Sequence, residues 1–446
     1  MKKKLLYMIV TTLILCVLFA GCESNGGSVE MGDKVGDYAP SGFYYGPAEE
    51  GSATYGKTAA SVGDTAGEKK ATEGSEAGEK SKDTSVYNQY RSGLITACAW
   101  DDNSAYGEWQ SLFIQGDDNT QGGKFCSFTE NEWKFNTLNR VKVTVKNGDN
   151  FVCGAQVAFF GADQKEYKAV TNANGVAYLF PPENDGTIKV KSGEAETEVA
   201  FTAQDRDLTA DLSTAISKAN VIKLMFVIDV TGSMGDELDY LAAELTDVIG
   251  RIASNDDQTR IDLAFLFYRD DCDTEKLNYV EFKDVTDPDN LIMQKKALAT
   301  QCASGGGDLP EALDEALLMA ASKDWGEENS TKIIFHVFDA PSHSEEENRI
   351  RCGQAAEIAA EKGIRYCPVL CSGADILCEY IGRQGALFTG GTFIYVTDHS
   401  GIGGAHYDPN IQQAVVEKLN DMMVRLVIGY HTGTFAAPVA WNAQQQ

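Results

Sequence analysis

The first rhythm of apolar and polar positions is an alternation with a period of two. Between residues 139 and 211, short runs such as Val141–Val145 alternate apolar and polar side chains, and polar turns such as Asn147–Asn150 separate the runs. This pattern is typical of half-buried strands, and several such strands with turns between them favour a β-sandwich. The predicted strands are Val141–Val145, Ala155–Phe160, Tyr167–Thr171, Val176–Phe180, Thr187–Lys191 and Glu198–Phe201. We therefore predict a small all-β sandwich over residues 139–211.

A second rhythm, in which strands alternate with helices, occupies residues 220–430. Leu224–Ile228 is a continuous apolar run, as expected for a strand buried on both faces, and Glu237–Ile252 has helical spacing. Further strands are predicted at Leu263–Tyr268, Ile333–Phe338, Ile364–Leu370 and Phe393–Val396, further helices at Pro310–Ala321 and Asn348–Glu361, and Ile411–Val427 completes the alternation. This order predicts an α/β fold with a doubly wound, mostly parallel sheet. Ligands of such sheets bind beyond the carboxyl ends of the strands.

The first 22 residues have the pattern of an export signal. Three lysines in Met1–Lys4 precede the apolar run Leu5–Phe19, and Ala20-Gly21-Cys22 follows. The run is short for a transmembrane helix. The segment resembles a bacterial lipoprotein signal, with Phe19 where a Leu is usual, and the resemblance implies that Cys22 is lipidated. An ordinary signal peptide with an incidental Cys and an uncleaved anchor are the alternatives.

The segments outside the two folded regions are distinguished by composition. Residues 23–90 are rich in small and charged side chains, and Gly63–Ser85 contains no large apolar residue, so we predict a disordered linker. Apolar residues return in 91–138, which we interpret as an ordered entry segment, and residues 431–446 form a tail. The chain is therefore expected to be exported and lipid-anchored at a bacterial cell surface or membrane.

The net charge narrows the range of partners. The chain has 66 acidic and 38 basic residues and a formal net charge of −28. Such a surface repels phosphate backbones and anionic lipid heads, which argues against nucleic-acid binding, whereas divalent cations and basic partners are favoured. Of the 11 cysteines, the spacing of Cys367, Cys371 and Cys378 gives only a weak zinc pattern. Disulfides are compatible with export, but no pairing is assigned.

Three clusters of oxygen-bearing side chains fall where the predicted sheet would bring them together. Asp229-Val230-Thr231-Gly232-Ser233 follows the first buried strand, Gly305–Glu311 is a glycine-rich loop that opens a helix, and Asp339 follows the strand Ile333–Phe338. Hydroxyls and carboxylates are hard ligands suited to Mg²⁺, Mn²⁺ or Ca²⁺. The sequence thus predicts a divalent-metal site at the carboxyl edge of the sheet.

These clusters resemble the von Willebrand factor type A domain, whose metal-ion-dependent adhesion site has an Asp-x-Ser-x-Ser motif and two distant ligands. Here Asp229, Thr231 and Ser233 match the motif, with Thr for the first Ser. The loop Asp308-Leu309-Pro310-Glu311 is similar to the corresponding loop in the A-type domains of integrin β chains. The resemblance implies that Glu311 and Asp339 reach the adhesion-site metal and that Asp308 serves a neighbouring ion.

Asp236 and Glu237 have two interpretations. The segment Ser233–Glu237 resembles the integrin β segment that binds an adjacent ion. Acids in a first helical turn also favour the helix dipole without any metal. For the whole constellation, the alternative is an A-type fold that has lost its metal, in which Thr231 and Ser233 are turn residues.

The resemblance favours a binding module over an enzyme. The expected partner is a protein that offers an Asp or Glu carboxylate to the metal. The sequence has no nucleophile elbow, phosphate loop or HExxH motif. A metal-dependent hydrolase using His343 or Glu311, and a structural display protein without metal, are the competing hypotheses. His343 is expected to be a loop residue or an outer donor, and His336 a core histidine. The segment Tyr268-Arg269-Asp270-Asp271 is expected to contain a structural Arg–Asp pair.

Overall fold

The structure is a computed structural model that describes residues 91–117, 120–128, 132–215, 218–254, 259–307, 309–326 and 329–442. The predicted signal segment, the linker, Cys22 and Asp308 lie outside these residues. Within the described residues the strands are β1 (Thr96–Trp100), β2 (Val141–Asn147), β3 (Asn150–Phe151), β4 (Gln156–Phe160), β5 (Glu166–Val170), β6 (Val176–Leu179), β7 (Gly186–Ser192), β8 (Ala195–Phe201), β9 (Asp207–Asp211), β10 (Val221–Asp229), β11 (Arg260–Tyr268), β12 (Leu277–Asp284), β13 (Thr331–Phe338), β14 (Ile364–Leu370), β15 (Phe393–Thr397) and β16 (Glu417–Lys418). The α-helices in the same residues are α1 (Tyr106–Ser111), α2 (Leu238–Ala253), α3 (Pro288–Ala299), α4 (Leu313–Ser322), α5 (Glu346–Lys362), α6 (Ile376–Thr389) and α7 (Leu419–Thr432).

The larger sheet has eight strands in the order β12-β11-β10-β13-β14-β15-β1-β16. Strands β11, β10, β13, β14 and β15 are mutually parallel, and β12 and β1 pair antiparallel at either side of them. Every residue of β10 is buried, because helices cover both faces of the sheet. The predicted α/β fold class, with its mostly parallel sheet, is confirmed.

Each face of this sheet has its own hydrophobic core. Helices α2 and α7 pack on one face, through residues such as Leu245 and Met423. Helices α4, α5 and α6 cover the other face, where Leu313 and Ile381 are buried. This arrangement places all loops that follow the parallel strands at one edge of the sheet.

The smaller region is a β-sandwich of two four-stranded sheets. One sheet has the order β3-β2-β6 with β9 pairing with β2, and the other has the order β5-β4-β7-β8. Alternate residues such as Val143 and Val190 point into a common core. The all-β region predicted from the alternating pattern is therefore present.

The entry segment contributes to the larger sheet, which the sequence pattern did not indicate. Strand β1 pairs with β15 from Thr96↔Thr397 to Trp100↔Phe393. A buried carboxylate, Glu244 of α2, accepts hydrogen bonds from the backbone N–H groups of Gly93, Leu94 and Ile95 at 2.7, 2.7 and 3.0 Å. The α/β region is thus completed by a strand that lies more than 120 residues before β10 in the chain.

Two other observations concern the described residues as a whole. Their nine cysteines are all free thiols. None of their helices combines the length and the apolar character needed to cross a membrane.

Candidate metal-binding site

The first loop of the site begins at the last residue of β10. Asp229 is fully buried, and its Oδ1 accepts hydrogen bonds from the backbone N–H of Thr231 at 2.9 Å and from the Thr231 hydroxyl at 2.7 Å. Thr231 Oγ1 lies 3.1 Å from the hydroxyl of Ser233, which is on a short 3-10 helix, Gly232–Asp236. The three motif residues therefore form one connected group of oxygens. Asp229 Oδ2 is buried and has no hydrogen-bond partner among the described residues.

The glycine-rich loop lies against this first loop. Ser304 N–H donates to Val230 O at 3.0 Å, and Gly232 N–H donates to Gly305 O at 3.1 Å. Gly305, Gly306 and Gly307 all have positive φ values, 79°, 86° and 104°, which only glycine adopts readily. The glycines therefore allow two backbones to approach each other closely beside the motif.

Glu311 reaches the site from the end of that loop. Its backbone N–H donates to Pro341 O at 2.9 Å, which joins the glycine-rich loop to the loop after β13. The Glu311 side chain is only 2% exposed, and its Oε2 has no hydrogen-bond partner among the described residues. A Cβ atom on Gly306 would lie 2.7 Å from Glu311 Oε1, so the two residues are in direct contact.

Asp339 completes the group because it directly follows β13, which is paired with β10. It is 4% exposed, and Cys378 Sγ donates to its backbone carbonyl at 3.7 Å. Residues that end neighbouring parallel strands lie at the same edge of the sheet, as the sequence predicts for Asp229 and Asp339.

The pKa values of these carboxylates reflect their burial and their mutual charge repulsion. Burial, and then the charge of Asp339, raises the pKa of Asp229 to about 7. Burial, followed by the charges of Asp229, Asp270 and Asp339, raises the pKa of Glu311 to about 9. Packing carboxylates this closely is unfavourable without a compensating positive charge.

These residues fit a hard divalent cation. Asp229 and Glu311 each offer a buried oxygen without a partner among the described residues, and Thr231 and Ser233 offer adjacent hydroxyls. Within the part of the chain that the structure describes, no group of three or more His, Cys, Asp or Glu side chains is arranged to hold a metal ion. Asp229, Glu311 and Asp339 therefore do not form a metal site by themselves among the described residues, and a candidate ligand set has to include the two hydroxyls.

Three further residues, Asp308, Asp236 and Glu237, were predicted to bind neighbouring ions. Asp308 lies outside the described residues, and the side chain of Asp236 is not described either. Glu237 is 1% exposed, and its Oε1 accepts hydrogen bonds from Ser372 N–H at 3.1 Å and from His406 Nε2 at 2.6 Å. Its described partners are thus a backbone amide and a histidine.

The loop after β11 adds two acids that the sequence pattern did not assign to the site. Asp273 Oδ2 accepts a hydrogen bond from Gly306 N–H at 2.9 Å, and Asp270 Oδ1 lies 2.7 Å from His343 Nε2. The signal that could have identified Asp270 is its position just after a buried strand, as for Asp339. His343 lies in the loop after β13, which agrees with the expectation of a loop residue.

The structure also tests the expectations for His336 and for the Arg–Asp pair of Arg269. His336 is fully buried and bonds to the hydroxyls of Tyr268 at 2.9 Å and Tyr366 at 2.8 Å, so its prediction as a core histidine is confirmed. The predicted Arg–Asp pair does not form among the residues that the structure describes. Arg269 donates instead to the backbone carbonyls of the loops around it, Ser304 at 2.9 Å, Cys302 at 3.3 Å and Glu275 at 3.5 Å.

Comparison with protein families gives a match within the α/β region. The family model described as von Willebrand factor A domain matches residues 223–359. Alpha-protein kinase vwkA of Dictyostelium discoideum is 21% identical over 188 residues, which are 42% of this chain and 27% of that protein. The chain thus spans about a quarter of the length of this relative.

Similar solved structures include a pilus adhesin and a protein described as von Willebrand factor type A. The von Willebrand factor type A protein from Catenulispora acidiphila has 15% identity and a TM-score of 0.30, covering 55% of this chain and 46% of that one. The open conformation of the pilus adhesin SpaC from Lactobacillus rhamnosus GG has 10% identity and a TM-score of 0.33, covering 71% and 37%. BatB from Bacteroides thetaiotaomicron, described as a conserved hypothetical protein, has 15% identity and a TM-score of 0.29, covering 39% and 89%.

Proposed function

We propose that this chain is a surface-anchored, metal-dependent protein-binding module of the adhesion type. The premise is the match of residues 223–359 to the von Willebrand factor A domain family model. The residues proposed to hold a divalent ion (Mg²⁺, Mn²⁺ or Ca²⁺) are Asp229, Thr231, Ser233, Glu311 and Asp339. When bound, such an ion supplies an open coordination position for an oxygen of a partner protein. The proposed partner atom is an Asp or Glu carboxylate oxygen.

The observation that carries this proposal is a pair of buried oxygens, Asp229 Oδ2 and Glu311 Oε2, that have no hydrogen-bond partner in the part of the chain that the structure describes. A buried carboxylate oxygen without a hydrogen bond is costly, and buried charges are normally paired or coordinate a metal. These two oxygens belong to loops that are joined by backbone hydrogen bonds, and one ion is proposed to serve both. A bound cation would also offset the repulsion between the carboxylates at this edge of the sheet.

The exposure of the loops supports a protein rather than a small molecule as ligand. Ser233 and Leu309 are exposed at the edge of the sheet, and Leu309 has 61% of its surface accessible. An open site with one apolar residue beside it suits a protruding side chain of a partner. The divalent charge makes a carboxylate contact favourable even though the chain carries a net charge of −28.

Export and lipid attachment through Cys22 belong to the same proposal. The lysine-rich start, the apolar run and the Ala20-Gly21-Cys22 sequence support a lipoprotein signal. Residues 23–90 would then separate the folded part from the membrane as a linker. Incorporation of radiolabelled palmitate into the wild-type chain, but not into Cys22→Ser, would test the anchor.

We also propose that the chain is not an enzyme. The named relative is a kinase, but this chain covers 27% of that protein. The carboxylates and hydroxyls of the candidate site are oxygen donors for a metal ion. His343, the histidine considered as a catalytic base, is bonded to Asp270. A screen for hydrolase activity with Mg²⁺ or Mn²⁺ tests this part, and metal-dependent turnover abolished by Asp229→Ala would contradict it.

The binding proposal is tested by capture from surface extracts of the source bacterium with immobilised chain. Wild type in Mg²⁺ should retain a protein partner, and both EDTA and Asp229→Ala should release it while circular dichroism shows an intact fold. Asp239→Ala, which removes an exposed acid from the first turn of α2, is the matched control and should leave capture unchanged. Equal capture with EDTA, or by Asp229→Ala, would overturn the proposed mechanism.

A further inference from the structure

Asp314, in the first turn of helix α4, is a buried carboxylate that accepts hydrogen bonds from three side chains. Its Oδ1 accepts from the hydroxyl of Ser342 at 2.9 Å and from Asn348 Nδ2 at 3.2 Å. Its Oδ2 accepts from Asn348 Nδ2 at 3.3 Å and from Arg351 Nε. Each oxygen thus accepts two hydrogen bonds, which is the full capacity of a carboxylate. Asp314 therefore serves the side chains around it and is not a candidate metal ligand.

The three donors come from two other segments of the α/β region. Ser342 lies in the loop after β13. Asn348 and Arg351 are three positions apart on α5 and so share one face of that helix. The guanidinium of Arg351, whose side chain is 25% exposed, balances the charge of the buried carboxylate. Asp314 therefore joins α4, α5 and the loop after β13.

Backbone hydrogen bonds connect the same loop to Glu311. The Glu311 N–H donates to Pro341 O at 2.9 Å, and Glu311 and Ser342 form a parallel β-bridge. The Leu313 N–H donates to Glu311 O at 2.8 Å, and Asp314 follows Leu313 directly. The segment from Glu311 to Asp314 therefore holds Ser342 at both of its ends, by the backbone at Glu311 and by the carboxylate at Asp314.

This closed arrangement includes two of the candidate metal ligands. Glu311 is its first residue, and Asp339 lies only three residues before Ser342 in the chain. Because Glu311 and Asp339 belong to different loops, their separation depends on the contact between those loops. A buried polar network in which every group has its partner makes such a contact rigid. A metal site needs this rigidity, since its ligands have to keep a fixed geometry.

We propose that Asp314 is a positioning residue for the candidate metal site: its carboxylate holds Ser342 and thereby sets the positions of Glu311 and Asp339. This inference rests on the proposed function. Arg351 fixes the carboxylate from the side of α5. The hydrogen bond from Ser342 is the part of the network that reaches the site.

The hydroxyl of Ser342 separates this role from a purely structural one. Ser342→Ala removes the hydrogen bond between Asp314 and the loop after β13 and leaves Arg351 and Asn348 bonded to Asp314. The hydroxyl also donates to His343 O at 3.0 Å, but that contact lies within the same loop. A carboxylate that only fastened α4 to α5 would leave metal binding unchanged in Ser342→Ala.

The experiment is a titration of the full chain with Mn²⁺, with free Mn²⁺ measured by electron paramagnetic resonance and melting temperatures measured in EDTA. Wild type should bind Mn²⁺, and both Ser342→Ala and Asp314→Asn should raise its Kd by about 10- to 100-fold, as when a group that orients metal ligands is lost. The melting temperature of Ser342→Ala in EDTA should stay close to that of wild type.

Asp102→Asn is the matched control. Asp102 is also a buried carboxylate paired with an arginine, Arg383, but it belongs to the entry segment. Asp102→Asn should lower the melting temperature in EDTA and bind Mn²⁺ like wild type.

The outcomes separate this inference from the function on which it rests. Wild-type affinity in a folded Ser342→Ala, or an equal loss of affinity in Asp102→Asn, would overturn the role of Asp314 and leave the metal site standing. Ser342→Ala decides the question even if Asp314→Asn fails to fold, because it keeps the buried charge pair. Absence of Mn²⁺ binding by wild type, or equal binding by Asp229→Ala, would instead remove the proposed metal site itself.

Discussion

Gly306 and Glu311 are in direct contact: a Cβ atom added to Gly306 would lie 2.7 Å from Glu311 Oε1. Gly306 also has a φ of 86°, and its N–H donates to Asp273 at 2.9 Å. The glycine therefore allows a buried carboxylate to lie beside the backbone, while Asp273 holds that backbone in place. Glycine at this position is a requirement of the site as well as of the loop.

Gly306→Ala should therefore impair metal binding as well as stability. The positive φ costs about 1–2 kcal/mol for an alanine, and the added methyl group displaces Glu311. We expect a lower melting temperature and a smaller stabilisation by Mg²⁺, both measured by differential scanning calorimetry. Gly148→Ala is the matched control, since Gly148 has a φ of 60° but a Cβ atom added there would meet no atom within 4 Å. An equal response of both variants to Mg²⁺ would contradict the contact.

The buried histidine His336 should make the fold sensitive to acid. Burial lowers the pKa of His336 to about 3, against an ordinary value of 6.5. Between pH 3 and pH 6.5, His336 is therefore protonated in the unfolded chain and neutral in the folded chain. The free energy of unfolding is highest above pH 6.5 and decreases as the pH falls towards 3. At pH 4.5 this loss amounts to about 2–3 kcal/mol.

Chemical denaturation at pH 7 and pH 4.5 measures this effect. The difference between the two pH values should be smaller for His336→Gln than for wild type, by roughly the amount that the proton accounts for. His336→Gln should also be less stable at pH 7, because the hydroxyls of Tyr268 and Tyr366 lose a ring partner. An identical pH dependence in the two proteins would show that His336 titrates normally in the fold.

A buried ion pair fastens the entry segment to helix α6. Arg383 Nε donates to Asp102 Oδ2 at 2.9 Å, and the two side chains are 4% and 1% exposed. Glu379 also pairs with Arg383, at 2.9 Å. Asp102→Ala should lower the free energy of unfolding by about 3 kcal/mol, since a buried guanidinium loses one of two carboxylates. Glu198→Ala, which breaks the exposed pair with Lys189, should cost at most about 1 kcal/mol.

The α/β region should not fold without the entry segment. A fragment of residues 220–430 lacks β1, which covers the edge of β15, and lacks the N–H groups that Glu244 accepts. It also exposes the apolar surface under Trp109 and Phe125. We expect this fragment to aggregate, whereas residues 91–442 give a cooperative transition in calorimetry. A soluble, cooperatively folding 220–430 fragment would show that the entry segment is dispensable.

The parts of the fold that were predictable are those encoded locally. Continuous apolar strands such as Leu224–Ile228 and helices such as Glu237–Ile252 have periods that the sequence displays directly, and both elements are present in the structure. Strand Leu277–Asp284 was missed because its mixed polarity suits an edge strand. Helix Ile376–Thr389 was missed because it is buried nearly all round and lacks an amphipathic pattern.

The residues of the candidate site were predictable where they follow strands or match the motifs that carry the resemblance. Asp229 and Asp339 were found because each ends a buried strand, and the motif supplied Thr231 and Ser233. The contact of Glu237 with His406 joins residues 169 positions apart, and nothing in either local sequence indicates it. The pairing of β1 with β15 has the same origin, since antiparallel partners about 300 residues apart depend on tertiary packing.

The central claim is that a divalent cation binds at Asp229 and Glu311, and thermal unfolding with and without Mg²⁺ tests it most directly. A ligand that binds only the folded state stabilises it by about 2.7 kcal/mol at one hundred times its Kd. Wild type should therefore show a melting temperature that rises with Mg²⁺ and is reset by EDTA, whereas Asp229→Ala and Glu311→Gln should show no response. A melting temperature of wild type that is indifferent to Mg²⁺, Mn²⁺ and Ca²⁺, or that rises equally in the two variants, would contradict the account.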